Sequence, residues 1–163
     1  MQIIDPEAIT IERLERGDEA RVLEVFDAMS PESRYFRFLQ ATPVLTNGMR
    51  RILADVDGVR HRAWVASTGG RTLGIVRLVA DQTGDLELSV AVIDAVHRQG
   101  IGRRLVETAL QAAAESGTAN VTVLIHPQNS SSVAMFRGMG AEFKLEYGLF
   151  AGRVPTRMMA VAA

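Results

Sequence analysis

One stretch limits this chain more than any other: LELSVAVIDAVHRQGIGRRLVETAL, residues 86–110. Strand-like alternation from Leu86 to Ile93 gives way to Arg98-Gln99-Gly100-Ile101-Gly102, and the period is helical from Ile101 to Glu115. A strand that turns through glycines into a helix builds a place for an anion. Glycine lets the backbone approach a ligand with no Cβ in the way. The first helical turn presents unpaired N–H groups and the positive end of the dipole. Arg98, Arg103 and Arg104 add positive charge around that turn, and arginine can hold phosphate oxygens with two parallel bonds. Two other nucleotide loops do not fit. A dinucleotide fingerprint needs a third glycine where Leu105 stands, and the Gly-Lys-Ser/Thr of a Walker loop is absent.

The 163 residues suffice for about one domain, so a single unit over residues 1–163 is expected. Apolar residues make up 47% and charged residues 23%, as in an ordinary globular protein. A net charge of −1 supplies no overall field toward nucleic acid or an anionic membrane, so neither is an expected partner. The absence of cysteine removes disulfides, thiolate metal sites and a Cys nucleophile. His61, His97 and His126 are scattered, with no H-x-x-x-H pair, so no metal site is expected. The first residues lack the basic start and apolar run of a signal peptide, and no stretch nears the ~20 apolar residues of a membrane span. The expectation is a soluble, cytoplasmic protein.

Periodicity lays out the remaining elements. A strand is read over Ala8 to Leu14, a helix over Ala20 to Met29, and a second helix from about Leu45 to Ala54. Between the helices, Ser30-Pro31-Glu32-Ser33 reads as a break, followed by an aromatic patch at Tyr35 to Leu39. Strands at His61 to Ser67, Thr72 to Ala80 and Leu86 to Ile93 are joined by Gly-rich turns and pair as antiparallel hairpins. After the helix at 101–115 come a strand at Val121 to Ile125 and a helix at Ser130 to Met139, started by Asn129 or a neighbouring Ser. Two last strands are read at Glu142 to Tyr147 and Phe150 to Val161, with Met158-Met159 as core packing. The order β-α-α-β-β-β-α-β-α-β-β defines a mixed α+β chain.

The surroundings of the glycine turn resemble the GNAT superfamily of N-acetyltransferases. Its signature, Q/R-x-x-G-x-G/A after the fourth strand, is similar to His97-Arg98-Gln99-Gly100-Ile101-Gly102. Residues 129–141, NSSSVAMFRGMGA, are similar to its second motif, N-x-x-A-x-x-x-Y-x-K-x-G-F. The likeness implies the acyl-CoA N-acyltransferase fold: a mostly antiparallel sheet that splays at the end of strand four, with helices on both faces. It implies an acetyl-CoA-dependent N-acetyltransferase. By the same likeness, Val90, Ala91 and Val92 would bind the pantetheine arm as an added strand. Amides from Arg98 to Arg103, with Gln99, Gly100, Ile101 and Gly102 among them and Arg104 adjacent, would hold the pyrophosphate. Asn129 and Ser132 would contact the pantetheine or its thiol, and Phe136 would line the slot. His97 departs from the signature, and Phe136 replaces the tyrosine that protonates the leaving thiolate in many relatives. A thiol of pKa ~8.5 can leave as the bare thiolate, and Tyr147 is a substitute donor to consider.

An amine near pKa ~10.4 must lose a proton before it attacks a thioester, and a nearby carboxylate can take it. Glu87, on the fourth strand with Ser89 and Ala91, holds the position of the general base in relatives that acetylate protein lysines. Asp85 and Asp94 flank the strand and compete. Ser30 to Phe38 is similar to a segment of acetyltransferases that modify bacterial acyl-CoA synthetases, which makes Arg34, Tyr35 and Arg37 candidate acceptor contacts. Phe36 and Phe38 read as core filling. The expected acceptor is an amine: a protein lysine, or alternatively a small molecule such as an antibiotic or polyamine. The rival from another class is a sensor module that binds acyl-CoA without turnover. A homodimer is compatible with either.

Overall fold

The computed structural model describes residues 1–157. A 3-10 turn at Pro6–Ala8 leads into β1 (Thr10–Arg13), α1 (Glu19–Asp27), α2 (Pro31–Phe38) and α3 (Asn47–Ala54). Then follow β2 (His61–Thr68), β3 (Arg71–Ala80), β4 (Leu86–Val92), α4 (Ile101–Glu115), β5 (Asn120–Ile125), α5 (Ser130–Gly138), β6 (Glu142–Glu146) and β7 (Leu149–Pro155). The strands make one sheet in the order β1-β2-β3-β4-β5-β7-β6, antiparallel except between β4 and β5. This is the α+β arrangement expected, with one helix more. The far end of the expected last strand, with Met158-Met159, lies outside the described residues.

The extra helix is α2, over the segment read as a break. Its start is well specified: the Ser30 hydroxyl accepts from the Ser33 N–H, and Pro31 stands in the first turn, where a missing N–H costs nothing. Leu39 ends it in the left-handed conformation, φ 59°. Similar chemistry trims its neighbours. The Asp5 side chain caps the 3-10 turn, which delays β1 to Thr10, and Thr46 caps α3.

Strands β2 and β3 are covered on both faces, which explains their nearly unbroken burial, while β4 is buried only at Leu86 and Leu88. Register sorts the side chains. Val65, Ile75 and Ala91 are in line, as are Ala63, Arg77 and Ser89, and Glu87 lies opposite Val79. These point to α1, α2 and α3, since the Arg77 guanidinium reaches the Leu53 carbonyl of α3. The alternate residues face α4: a Cβ placed on Gly74 would meet the Leu105 side chain at 3.0 Å and the Val92 side chain at 3.2 Å. Leu105, Val106 and Ala109 of α4 are wholly buried on that side.

The sheet is weakest between β4 and β5. Among the described residues their ladder has one bridge, Glu87 with Thr122. Beyond it the strands diverge, and the edge of β4 from Leu88 to Val92 faces β5 without a strand partner. No helix of the described residues is long and apolar enough to cross a membrane.

Candidate active site

A cavity of about 430 Å³ opens at this divergence. One wall is Val90, Ala91 and Val92 of β4, whose β5-facing backbone groups are free of sheet bonds. The floor is the turn into α4, with His97, Arg98, Gly100, Ile101, Gly102 and Arg103. Asn129, with Ser132 and Met135 of α5, closes the far side, and Ser33, Phe36 and Arg37 of α2 form a further wall.

The floor is shaped by backbone conformation. Arg98 has φ 61° and Gly100 φ 78°, so two left-handed residues turn the chain sharply before the helix. A left-handed conformation at a non-glycine is costly, and such outliers cluster at ligand sites. Gly100 occupies the N-cap position and offers no side chain to cap α4, so the first amides of a 15-residue helix point into the cavity. Any β-substituent at Gly102 would approach the Val92 side chain at 3.5 Å. His97 Nε2–H donates to the Val92 carbonyl at 2.8 Å, which ties the loop to the strand end. Asn129 accepts from the Ser132 N–H, so it caps α5 while lining the cavity.

The side chains of three residues expected at the cofactor site, Gln99, Arg104 and Phe136, are directed away from the cavity, while the expectation for Gln99 concerns its backbone amide. Gln99 accepts from the Ile4 N–H at 2.9 Å and donates to the Gln2 carbonyl. Arg104 donates to the carbonyls of Pro6 and Ile9. Both hold the N-terminal segment against the loop instead of facing the cavity. Phe136 is buried in the core beneath α5. Tyr147 stands fully exposed at the tip of the β6–β7 hairpin, among none of the lining residues.

On α2 the acceptor candidates divide. Arg37 lines the cavity. Arg34 is turned back over the Phe26 ring at 4.0 Å and donates to the carbonyls of Phe26 and Pro43. Tyr35 is partly exposed and packs edge-on against His126 at 5.6 Å. Glu32 and Ser33, one helical turn before Phe36 and Arg37, also line the cavity. The signal in the sequence that puts them on that face is the Ser30-Pro31 helix start, within the segment read above as a break.

Glu87 is exposed, on the sheet face shared by Ser89 and Ala91, beside the start of the divergence. It is not itself a lining residue of the cavity. Asp94 is one, but its carboxylate is engaged: one oxygen accepts from the Ser30 N–H at 2.8 Å and the other from the Ser33 hydroxyl at 3.0 Å. Burial alone would raise its pKa. The bonds from Ser30 and Ser33 outweigh that and hold the group below the usual carboxylate range.

A cavity with an uncapped helix start on its floor and a free strand edge in its wall suits a ligand with a phosphate end and an extended amide-bearing arm. The chain belongs to the acetyltransferase (GNAT) family, whose model matches residues 23–141. It is 31% identical over 83 residues to the N-acetyltransferase family 8 member 2 of Rattus norvegicus, a match covering 47% of this chain and 37% of that protein's length. Its fold is similar to the GNAT domain of S. lividans PAT, with a TM-score of 0.82 at 22% identity over 89% of each chain. It is also similar to spermidine N-acetyltransferase from Vibrio cholerae in complex with CoA and spermine. There the TM-score is 0.73 at 14% identity, over 93% of this chain and 98% of that one. At these identities the likeness to the two structures is one of fold.

Proposed function

We propose that this chain transfers an acetyl group from acetyl-CoA to a primary amine by direct attack in a ternary complex. The observation that carries the reading is the joining of two features in one cavity: the uncapped start of α4 and the partnerless edge of β4. The pyrophosphate would sit on the amides of Ile101, Gly102 and Arg103, with Arg98 and Arg103 adding charge. The pantetheine arm would run along Val90 to Val92 like an added strand. Its thioester would then lie where β4 and β5 part, within reach of a free β4 N–H that can take up developing negative charge on the carbonyl oxygen.

The chemistry needs little more. The amine nitrogen attacks the thioester carbon, a C–N bond forms, and the C–S bond breaks as the electron pair leaves with sulfur. The ammonium gives one proton to Glu87 and on to solvent before the attack, and the second proton lost from nitrogen as the amide forms leaves to water. With Phe136 in the core, the thiolate takes its proton from water. Glu87 lies four residues from Ala91, roughly 13 Å along the strand, so its proton transfer runs through water. Asp94 is less available because both its oxygens are bonded. The absence of cysteine leaves no thiol to carry a covalent acyl group.

The acceptor would approach over the open face of β4 and β5. There Glu87 is flanked by exposed Val79 and Leu124, with Tyr35 on the α2 side. An open face admits a lysine on a protein surface as readily as a small amine. Glu87→Gln should cut the turnover number about a hundredfold while leaving the dissociation constant for acetyl-CoA unchanged. The check is CoA release with lysine peptides, alongside calorimetry. An unchanged rate would move the base elsewhere, and a matching loss in Glu32→Gln would place it on α2.

A further inference from the structure

Arg37 and Arg77 are two cations that face one apolar hollow, and neither is bonded to an anion. Arg77, on β3 opposite Ser89, is 5% exposed. Its guanidinium donates to the Leu53 carbonyl and lies 3.1 Å from His61 Nε2. Burial, then the charge of Arg77, pushes the His61 imidazole below its ordinary pKa. A guanidinium can only donate, so Nε2 accepts in this contact, and an imidazole offers no negative charge to compensate Arg77. Arg37, half-buried on α2, rests against the Phe38 ring at 4.8 Å and has no hydrogen-bond partner among the described residues.

The hollow between them is a cavity of about 30 Å³, walled by apolar side chains such as Val25, Phe26, Leu45 and Ile75. That is room for a water molecule or one small polar group. Met29, Arg37 and Ala91 line this hollow and the large cavity alike, so Arg37 stands on the boundary between them. Burying an unpaired cation is costly. Here burial lowers Arg77 to about 9, with Arg37 adding to the fall. It lowers Arg37 to about 10, with Glu87 opposing. Glu87 is thus near enough for its charge to be felt, yet forms no ion pair with Arg37, and the oxygens of Asp94 are bonded to Ser30 and Ser33. An anion entering from the large cavity would complete this arrangement.

We propose that Arg37, backed by Arg77, is a carboxylate subsite beside the reacting carbonyl, so that a substrate of this protein carries a carboxylate there. The inference rests on the acyl-transfer reading given above. A planar guanidinium matches a carboxylate with two parallel bonds, and the apolar walls keep water from weakening them. The carboxylate has two sources of the same chemistry: the far end of a dicarboxylic acyl group on CoA, or the α-carboxylate of an amino-acid acceptor.

Calorimetry separates the sources without needing turnover. In one arm, succinyl-CoA is compared with 4-methylpentanoyl-CoA, its uncharged near-isostere. In the other, CoA-saturated protein is titrated with an α-amino acid and with its carboxamide. The wild-type chain should favour the carboxylate form on the order of tenfold or more in one arm. Arg37→Gln should bring that preference to within about twofold, and Arg37→Lys should restore part of it. Comparing ratios between variants cancels the different basicities of the two amines. A preference within twofold in both arms, or one that Arg37→Gln leaves intact, overturns the subsite. Acetyl transfer to uncharged amines would in that case leave the acetyltransferase reading standing.

Discussion

Gly74 is a position where the space itself selects the residue. A Cβ there would stand 2.7 Å from the Ala91 carbonyl, on the strand that forms the proposed cofactor wall. Backbone cannot yield as a flexible side-chain end can, so Gly74→Ala should push β4 outward, costing ~1–3 kcal/mol. Its affinity for acetyl-CoA should fall as well, by calorimetry; an unchanged affinity would mean that this edge of β4 does not hold the ligand. At Asp94 the expected effect depends on pH. Its folded-state pKa is depressed, so its stabilising contribution is present above the ordinary carboxylate pKa and is lost as pH falls through the folded value. Asp94→Asn should therefore lower the urea midpoint at neutral pH and flatten its decline in acid. An equal loss at every pH would refute this account. Single residues were also where the sequence was hardest to read. The motif puts Gln99 and Arg104 beside the turn that lines the cavity, but side-chain direction depends on what packs alongside, and both turn to the N-terminal segment.

At the scale of elements, that N-terminal segment behaves as a strap. Gln2 donates its N–H to the Ala95 carbonyl, Ile4 donates to Gln99, and Arg104 grips the next turn. The contacts reach the loop that presents the α4 amides, so the strap should set that loop's geometry more than it sets global stability. Gln99→Ala should weaken acetyl-CoA binding several-fold while costing no more than ~1 kcal/mol of unfolding free energy. Ile4→Pro, which removes the donor, should match it without adding to it in the double variant. Additive losses would show that the two residues act separately. Element boundaries were legible wherever period and punctuation agreed, as for α4 at Ile101–Glu115. They are ambiguous at α2, where Ser-Pro-Glu-Ser carries both a breaker's proline and a helix start. The face that brings Glu32, Ser33 and Arg37 to the cavity exists only if the segment is helical.

For the molecule as a whole, the α+β class, the hairpins and the glycine turn followed from local pattern, because antiparallel neighbours joined by short turns leave few other topologies. The parting of β4 from β5 did not follow that way, since one bridge at Glu87 and Thr122 is a long-range fact; only family resemblance anticipated it. The pairing of Arg37 with Arg77 was invisible for the same reason, as 40 residues and two elements separate them in the chain. The central claim is that the divergence holds acetyl-CoA while an amine attacks it directly. Thiol release measures this with little background, because the protein has no cysteine of its own. With acetyl-CoA alone, free thiol should stay at the hydrolytic level and the intact mass of the protein should not change. Adding lysine peptides or another acceptor amine should raise thiol release in proportion to acetylated product. Saturable acetyl-CoA binding with no thiol release across lysine peptides, polyamines and amino acids would contradict the account and make this chain a binding module.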